Sequence, residues 1–349
     1  MFTKMNRMSK EMRHMLKKLF ACALMAGMLG LCAQDALAQD LGPFPVDRRR
    51  AAPEEDGLIT NARLSSTGFG FLKLTTNARA VAMGDAYSAV GNDLSAIFYN
   101  PAGLTQMETE RAALGGYTSW IVGSSLGTAA FAVKTGVATF GVSATYFQSE
   151  EFEETTSQNP GGTGRMVRTS DMALGFTIAK QLTDKLSFGA QVRWIKEDLD
   201  LIDFSTVDVN FGTVFFTGYK STRLSMTLRN LGADASVVAQ DARVPTVFYL
   251  AGAGELYGNL GDPFSLTASV EQAFFTDYAA RYYYGGEAWI QNTLALRAGY
   301  KSGHTNESWS VGAGFKHEVG GQRINVDFSI SNAETFEENP IRLTVGYGF

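Results

Sequence analysis

From Arg111 to the C-terminal Phe349 the chain is a succession of period-two segments broken by turn residues, and this pattern limits its fold more than any other feature. At the C-terminus Ile341, Leu343, Val345, Tyr347 and Phe349 share one face, and Arg342, Thr344, Gly346 and Gly348 the other. Ile324, Val326, Phe328 and Ile330 alternate with Arg323, Asn325, Asp327 and Ser329. Leu294, Leu296, Ala298 and Tyr300 alternate with Arg297, Gly299 and Lys301, and Leu186, Phe188, Ala190, Val192 and Trp194 with Ser187, Gln191 and Arg193. Lipid outside and water inside demand this division. Strands of a soluble sandwich average about five or six residues. These segments sustain the alternation for about nine to twelve, the length of a tilted bilayer crossing. Aromatic residues gather near segment ends, at Tyr117 and Trp120, Tyr146 and Phe147, Phe274 and Phe275, Tyr282 to Tyr284, and Tyr347 and Phe349. Girdles at the two membrane interfaces would look like this.

Fourteen segments are expected, at 111–122, 124–135, 136–155, 166–182, 185–201, 204–218, 221–234, 244–257, 263–276, 280–291, 293–303, 308–319, 322–335 and 339–349. The even number suits a bacterial outer-membrane barrel. Short turns such as Thr183-Asp184 and Gly320-Gly321 would face the periplasm, and longer stretches such as Glu150 to Arg165 the exterior. After the N-terminal apolar run no stretch of 18 apolar residues occurs, which excludes transmembrane helices. The fold class is therefore an all-β transmembrane protein: a fourteen-stranded antiparallel outer-membrane barrel over 108–349, preceded by a short, partly helical plug.

The first 38 residues read as a signal peptide, with Lys17-Lys18, an apolar run from Leu19 to Leu31, and an Ala36-Leu37-Ala38 exit. Met15 opens such a signal by itself, so either Met1 or Met15 is the start. Leu31 before Cys32 and the early position of Cys22 argue against a lipid anchor. Both cysteines fall in this segment, so the mature chain has none and uses no disulfide. The segment holds six of the 30 Lys/Arg and two of the 35 Asp/Glu, leaving a mature formal charge of −9. An acidic chain with no basic cluster beyond Arg48-Arg49-Arg50 argues against a nucleic-acid partner.

Residues 39–66 are polar and read as a flexible tail. Residues 67–107 differ. Asn92 or Asp93 can cap a short helix, which Pro101 would stop with Asn100 held extended. Sixteen strands leave a channel and eight are self-filled, so a fourteen-stranded lumen needs filling. Residues 67–107 are the natural plug, with a periplasmic linker as the other reading.

Ala78-Arg79-Ala80, Met83-Gly84-Asp85-Ala86, Asn92-Asp93, Ser95-Ala96 and Asn100-Pro101-Ala102-Gly103 resemble the N-terminal signature of the PorV/PorQ family of outer-membrane barrels. That family is related to the FadL-like transporters. Arg229-Asn230-Leu231-Gly232 and Val244-Pro245 agree, and Tyr347 and Phe349 resemble the C-terminal aromatic signal read by the outer-membrane assembly machinery. PorV-like membership implies type IX secretion, with binding of cargo C-terminal domains and association with the translocon or attachment machinery. FadL-like membership implies passage of fatty acids or other hydrophobic small molecules, with an N-terminal hatch moving to open a path. The resemblance makes Arg79, Met83, Gly84, Asp85, Asn100, Pro101, Ala102 and Gly103 the hatch residues of interest.

A conduit needs an apolar pocket beside the hatch and a lateral exit such as a strand kink. A cargo receptor needs ordered external loops and a sealed pore. His304 and His317 have no neighbouring serine and carboxylate pattern, so no enzyme is expected. Glu150, Glu151, Glu153, Glu154, Asp198 and Asp200 lack EF-hand spacing and read as a solvated loop face; no metal or cofactor is expected. Arg193, Arg297, Lys301, Arg323, Asp327 and Arg342 should line the lumen, paired with one another and with the plug.

Overall fold

The period-two faces become the two faces of a closed sheet. The computed structural model describes residues 67–237, 240–336 and 338–349. The signal peptide and the 39–66 tail expected from the sequence lie outside the described residues. Fourteen strands close into a barrel: β1 (Arg111–Ser119), β2 (Ser125–Lys134), β3 (Thr139–Gln148), β4 (Ser170–Gln181), β5 (Leu186–Asp198), β6 (Asp203–Phe216) and β7 (Arg223–Gly232). They continue as β8 (Val247–Tyr257), β9 (Phe264–Phe275), β10 (Arg281–Ile290), β11 (Leu294–Ser302), β12 (Trp309–Val319), β13 (Gln322–Ser331) and β14 (Ile341–Gly348). Each strand pairs antiparallel with its sequence neighbours, and β14 returns to β1. The terminal Phe349 completes that seam, exchanging two 2.9 Å backbone hydrogen bonds with Arg111. No strand edge is left for lipid to meet.

Alternation decides which atoms meet lipid. Leu343 is 46% exposed while its neighbour Arg342 is fully buried, and Val345 and Thr344 repeat the division. Among the described residues no helix is long and apolar enough to cross a membrane, and the crossing is made by strands.

Three expectations need correction. The third segment stops at Gln148 rather than residue 155, and the fourth starts at Ser170. Between them Phe152–Glu153 pairs with Met166–Val167 in a hairpin of its own, outside the barrel ladder. The aromatic clusters are not all girdle. Tyr117, Tyr146, Tyr284, Tyr347 and Phe349 are exposed, but Tyr283 is buried, Phe147 packs into an interior cluster and Trp120 lies against Arg342. Adjacent residues on a strand face opposite sides, so one of Tyr146 and Phe147, and one of Tyr283 and Tyr284, must turn inward.

The barrel's two ends differ. At the end where β1 begins and β14 finishes, connections run from two residues (320–321) to six. At the other end they reach 21 residues (149–169), 14 (233–246) and nine (332–340). Short turns mark the periplasmic end and long loops the exterior. Replacing Leu343 at mid-strand with arginine should destabilise the barrel by about 2–4 kcal/mol. Folding titrations in lipid vesicles would show it, and Thr344→Ser, on the luminal face, should not.

Candidate functional site

Residues 67–107 run through the lumen. A 3-10 turn (Gly70–Lys73) follows Phe69 and leads to helix α1 (Ala78–Ala82). Two further 3-10 turns cover Leu94–Phe98 and Pro101–Gln106. Three of these four starts are capped by a local side chain, Gly70–Lys73 being the exception. Asn77 Oδ1 accepts from Ala80 N, Asp93 Oδ1 from Ser95 N, and Asn100 Oδ1 from Ala102 N. Asn100 is extended (φ −144°), and Pro101 opens a new turn rather than only ending the previous one.

The large apolar side chains of this segment meet a wall of small ones. Met83, Tyr87 and Tyr99 pack on Ala251 and Ala253, and Ile97 and Leu104 on Ala112, Ala130, Ala132 and Ala179. The two motifs singled out from the sequence each sit on a cross-strand pair of glycines. Met83-Gly84 presses on Gly285 and Gly299, which face each other across β10 and β11. A Cβ on Gly299 would collide with Gly84 N, and one on Gly84 would come within 2.7 Å of Tyr300 N. Gly84 and Asp85 both take positive φ (62° and 64°) to make this corner. Asn100-Pro101-Ala102 presses in the same way on Gly189 and Gly212, paired across β5 and β6. Gly103 closes against Gly91 and Ala96 of the segment itself.

Charge joins the segment to the wall as an alternating buried chain. Arg79 grips Glu287 of β10 with two 2.8 Å hydrogen bonds, and its third nitrogen reaches Asp93 at 2.6 Å. Glu287 also accepts from Arg297 at 2.6 Å, and Arg297 reaches Asp327 at 2.7 Å. The sequence Asp93–Arg79–Glu287–Arg297–Asp327 gives every cation two anionic neighbours. Towards the exterior Lys301 lies between Asp85 (2.5 Å) and Glu307. Ser88 donates its N–H and its hydroxyl to Glu271, both at 2.8 Å. Asn100 Nδ2 donates to Ser88 O and to Thr213 O of β6. Glu271 and Glu287 had no place in the sequence reading. A carboxylate at an inward position of a barrel strand was the available signal.

The other expected lumen charges are placed as follows. Arg193 pairs with Asp208, and Arg323 with Glu108 and Glu318. Arg342 is fully buried yet has no acidic partner among the described residues. Its Nε donates to Thr75 O, one Nη to Ser331 Oγ, and its guanidinium lies 5.0 Å from the Trp120 ring. The loop acids are engaged with arginine: Glu154 and Asp200 with Arg165, and Glu151 with Arg168. Among the described residues no group of three potential metal ligands is assembled.

The ends of the segment contrast in polarity. At the exterior mouth Phe69, Phe71 and Leu72 fill an apolar cup formed by Ala173, Ile195, Ala235 and Val244, with Phe147 and Phe204 at its side. Phe69 and Phe204 meet edge to face at 5.1 Å. The periplasmic end holds a polar cleft lined by Arg79, Asp93, Lys316, Arg323 and Asp327 with Trp289. Beside the exterior cup the wall is irregular. The register of β6 and β7 shifts around Asn210, and Asn230 takes φ 59°. Asn230 Nδ2 donates to Pro245 O and its own O accepts from Thr246, so the Arg229-Asn230-Leu231-Gly232 and Val244-Pro245 motifs are joined there.

His304 and His317 are far from any catalytic arrangement. His317 stacks on Phe315 at 6.2 Å, and His304 packs on Tyr283 with its Nε2 buried and without a partner. Burial, with the Arg281 and Lys301 cations beside it, pushes the His304 imidazole down to about 3.

Residues 53–195 match the model of a family described as an uncharacterised protein family, UPF0164. No curated protein matches the chain. Among solved structures the Ralstonia pickettii toluene transporter TbuX is similar at 15% identity and TM-score 0.56, over 78% of this chain and 97% of its own. The Pseudomonas putida toluene transporter TodX is similar at 14% and 0.56, over 77% and 96%. The monoaromatic hydrocarbon channel CymD is similar at 13% and 0.55, over 78% and 96%. At these identities the likeness is one of fold, a closed antiparallel β-barrel of fourteen strands.

Arg79→Ala should leave the barrel folded and loosen the lumen segment by about 3–5 kcal/mol, because Glu287 and Asp93 lose a buried partner. Planar-bilayer recordings should then show ion-conducting openings that the parent protein lacks. His304 gives a pH test at the exterior loops. Its folded value lies below the ordinary 6.5, so stability is full above pH 6.5 and falls as pH drops towards 3. Thermal unfolding in detergent should lose less over that range in His304→Phe than in the parent.

Proposed function

We propose that the protein is a non-enzymatic outer-membrane conduit for hydrophobic small molecules, closed in this state by residues 67–107 acting as a hatch. The observation that carries the reading is the exterior apolar cup around Phe69, Phe71 and Leu72. It lies at the mouth of a lumen that deeper in carries the buried Arg79–Glu287–Arg297 ion pairs. An apolar molecule arriving from outside meets a site of its own character there, next to the irregular β6–β7 wall that offers a lateral way out. The fold likeness to two toluene transporters and a monoaromatic hydrocarbon channel supports this reading over the alternative. In it Arg79, Asp85, Asn100 and Pro101 hold the hatch, Met83-Gly84 and Ala102-Gly103 provide its close-fitting seats, and Tyr347 and Phe349 present the assembly signal.

A second reading keeps some support. A PorV/PorQ-type partner in type IX secretion needs ordered external loops and a sealed pore. The Phe152–Glu153/Met166–Val167 hairpin, tied through Arg165 to Asp200, and the filled lumen meet that description.

Uptake separates the two. Cells of a host lacking its own apolar transporters should take up radiolabelled toluene or a long-chain fatty acid faster when they express the protein. Uptake no faster than with an empty vector, together with co-purification of a giant barrel and cargo sharing a C-terminal β-domain, would transfer the function to secretion.

A further inference from the structure

The exterior cup has a charged rim that neither reading of the barrel uses. Four residues of adjacent strands form one cross-strand row on the inward face near the exterior end. Phe147 of β3 pairs with Asp171 of β4, Asp171 with Glu197 of β5, and Glu197 with Phe204 of β6. Directly opposed residues on one face of an antiparallel pair have Cβ atoms about 4.5–5.5 Å apart, and like charges there repel. One row deeper on the same face, Ala173 and Ile195 pair across β4 and β5 and belong to the cup. The two acids and the apolar surface are therefore one continuous stretch of wall, with Phe69, Phe71 and Leu72 packed on it.

Neither carboxylate is in an ion pair among the described residues. The cations around them are committed elsewhere: Lys196, on the opposite face of β5, to Asp198 and Asp203, Arg193 to Asp208, Arg168 to Glu151, and Lys73 to Asp277. Glu197 accepts from Phe69 N. Asp171 is 7% exposed, and its Oδ1 is buried without a hydrogen-bond partner. Asp208, Glu255, Glu287 and Asp327, by contrast, each face an arginine.

A buried pair of like charges without a counter-ion is costly, and a cation held between the two relieves it. The rings of Phe147 and Phe204 at the two ends of the row favour the same occupant, because an aromatic face attracts an ammonium group within about 6 Å. The approach favours it as well. The exterior connections (120–124, 149–169, 199–202, 233–246, 276–280, 303–308 and 332–340) contain twelve Asp/Glu and three Lys/Arg, so the mouth draws cations. A bare metal ion would leave the rings and the apolar wall unused, and among the described residues no group of three potential metal ligands is assembled.

We propose that the cup selects hydrophobic amines, with the ammonium head between Asp171 and Glu197 and the apolar body in place of Phe69, Phe71 and Leu72. The proposal rests on the conduit reading and names its substrate class. Neutral hydrocarbons fill the apolar wall but leave the acids unpaired, and hydrophobic carboxylates are repelled by them.

Equilibrium dialysis of the detergent-solubilised full chain against phenylbutylamine, phenylbutanol and phenylbutyrate at neutral pH tests it. Expected is binding of the amine about tenfold tighter than the alcohol, the step of a charge-assisted hydrogen bond, and no detectable binding of the carboxylate. Asp171→Asn and Glu197→Gln should each abolish the preference for amine over alcohol, with heat-modifiable migration on gels confirming a folded barrel. If a variant does not fold, the preference in the parent protein decides by itself. Equal affinity for amine and alcohol would overturn the proposal and leave the conduit reading standing. Calcium binding that Asp171→Asn removes, with no preference for the amine, would overturn it in favour of a metal. Binding of none of the three compounds would remove the conduit reading, and the proposal with it.

Discussion

A closed sheet of fourteen strands encloses more space than its own side chains can fill, and every other feature of this molecule answers that constraint. Lipid requires the outer face to be apolar and the backbone to be fully paired, which the seam between Arg111 and Phe349 completes. The inner face is then free to be polar, but it must not be left as an open pore unless conduction is wanted. A chain segment of 41 residues fills it. The wall accommodates that segment by omission: alanine where the segment carries Met83, Ile97 or Leu104, and paired glycines where its backbone comes closest.

Beside these apolar contacts the segment is held by buried charge and hydrogen bonding. A buried ion pair contributes little net stability against an apolar equivalent, although breaking one is costly. Such a seat is specific rather than strong. Its satisfaction is also incomplete. Ser225, Thr227, Ser265, Ser310 and Ser329 of the wall have buried hydroxyls without partners, as do Asp85 Oδ1 and one nitrogen of Arg342.

The barrel was legible in the sequence because a period of two repeated over bilayer length has few other solutions. Strand number, inward charges such as Arg297 and Asp327, and the filling of the lumen followed from that period and from the size of the space. The third segment was overextended because Phe152 and Glu153 continue a strand-like pattern after the barrel ladder ends; local alternation carries no information about which strand is the partner. The girdle was overcounted where adjacent aromatics were read together. Within the lumen, Arg79 and Asp85 stood out only through a family resemblance, whereas Asn100 was also marked by the Pro101 that follows it. Their partners Glu287, Lys301 and Gly212, like the Gly299 that seats Gly84, lie more than a hundred residues away and look like ordinary inward positions. Pairing at that separation is a property of closure, which no local pattern records.

The polarity of the two ends bears on direction. Apolar transfer favours the exterior cup by about 25 cal/mol for each Å² an apolar molecule removes from water. The periplasmic cleft, lined by Arg79, Lys316 and Arg323, offers no comparable gain. If the protein is the conduit proposed above, an apolar molecule entering the mouth would compete with Phe69, Phe71 and Leu72 for the same surface. Those three residues belong to the same short stretch that Glu197 and Asp277 tether. Displacing them does not require disturbing the Arg79–Glu287 pair, since helix α1 and the glycine seats lie further along the chain. On the conduit reading proposed above, occupation of the cup and release of the deeper segment would be separable steps, with the ion-pair chain at mid-lumen still in place after the first.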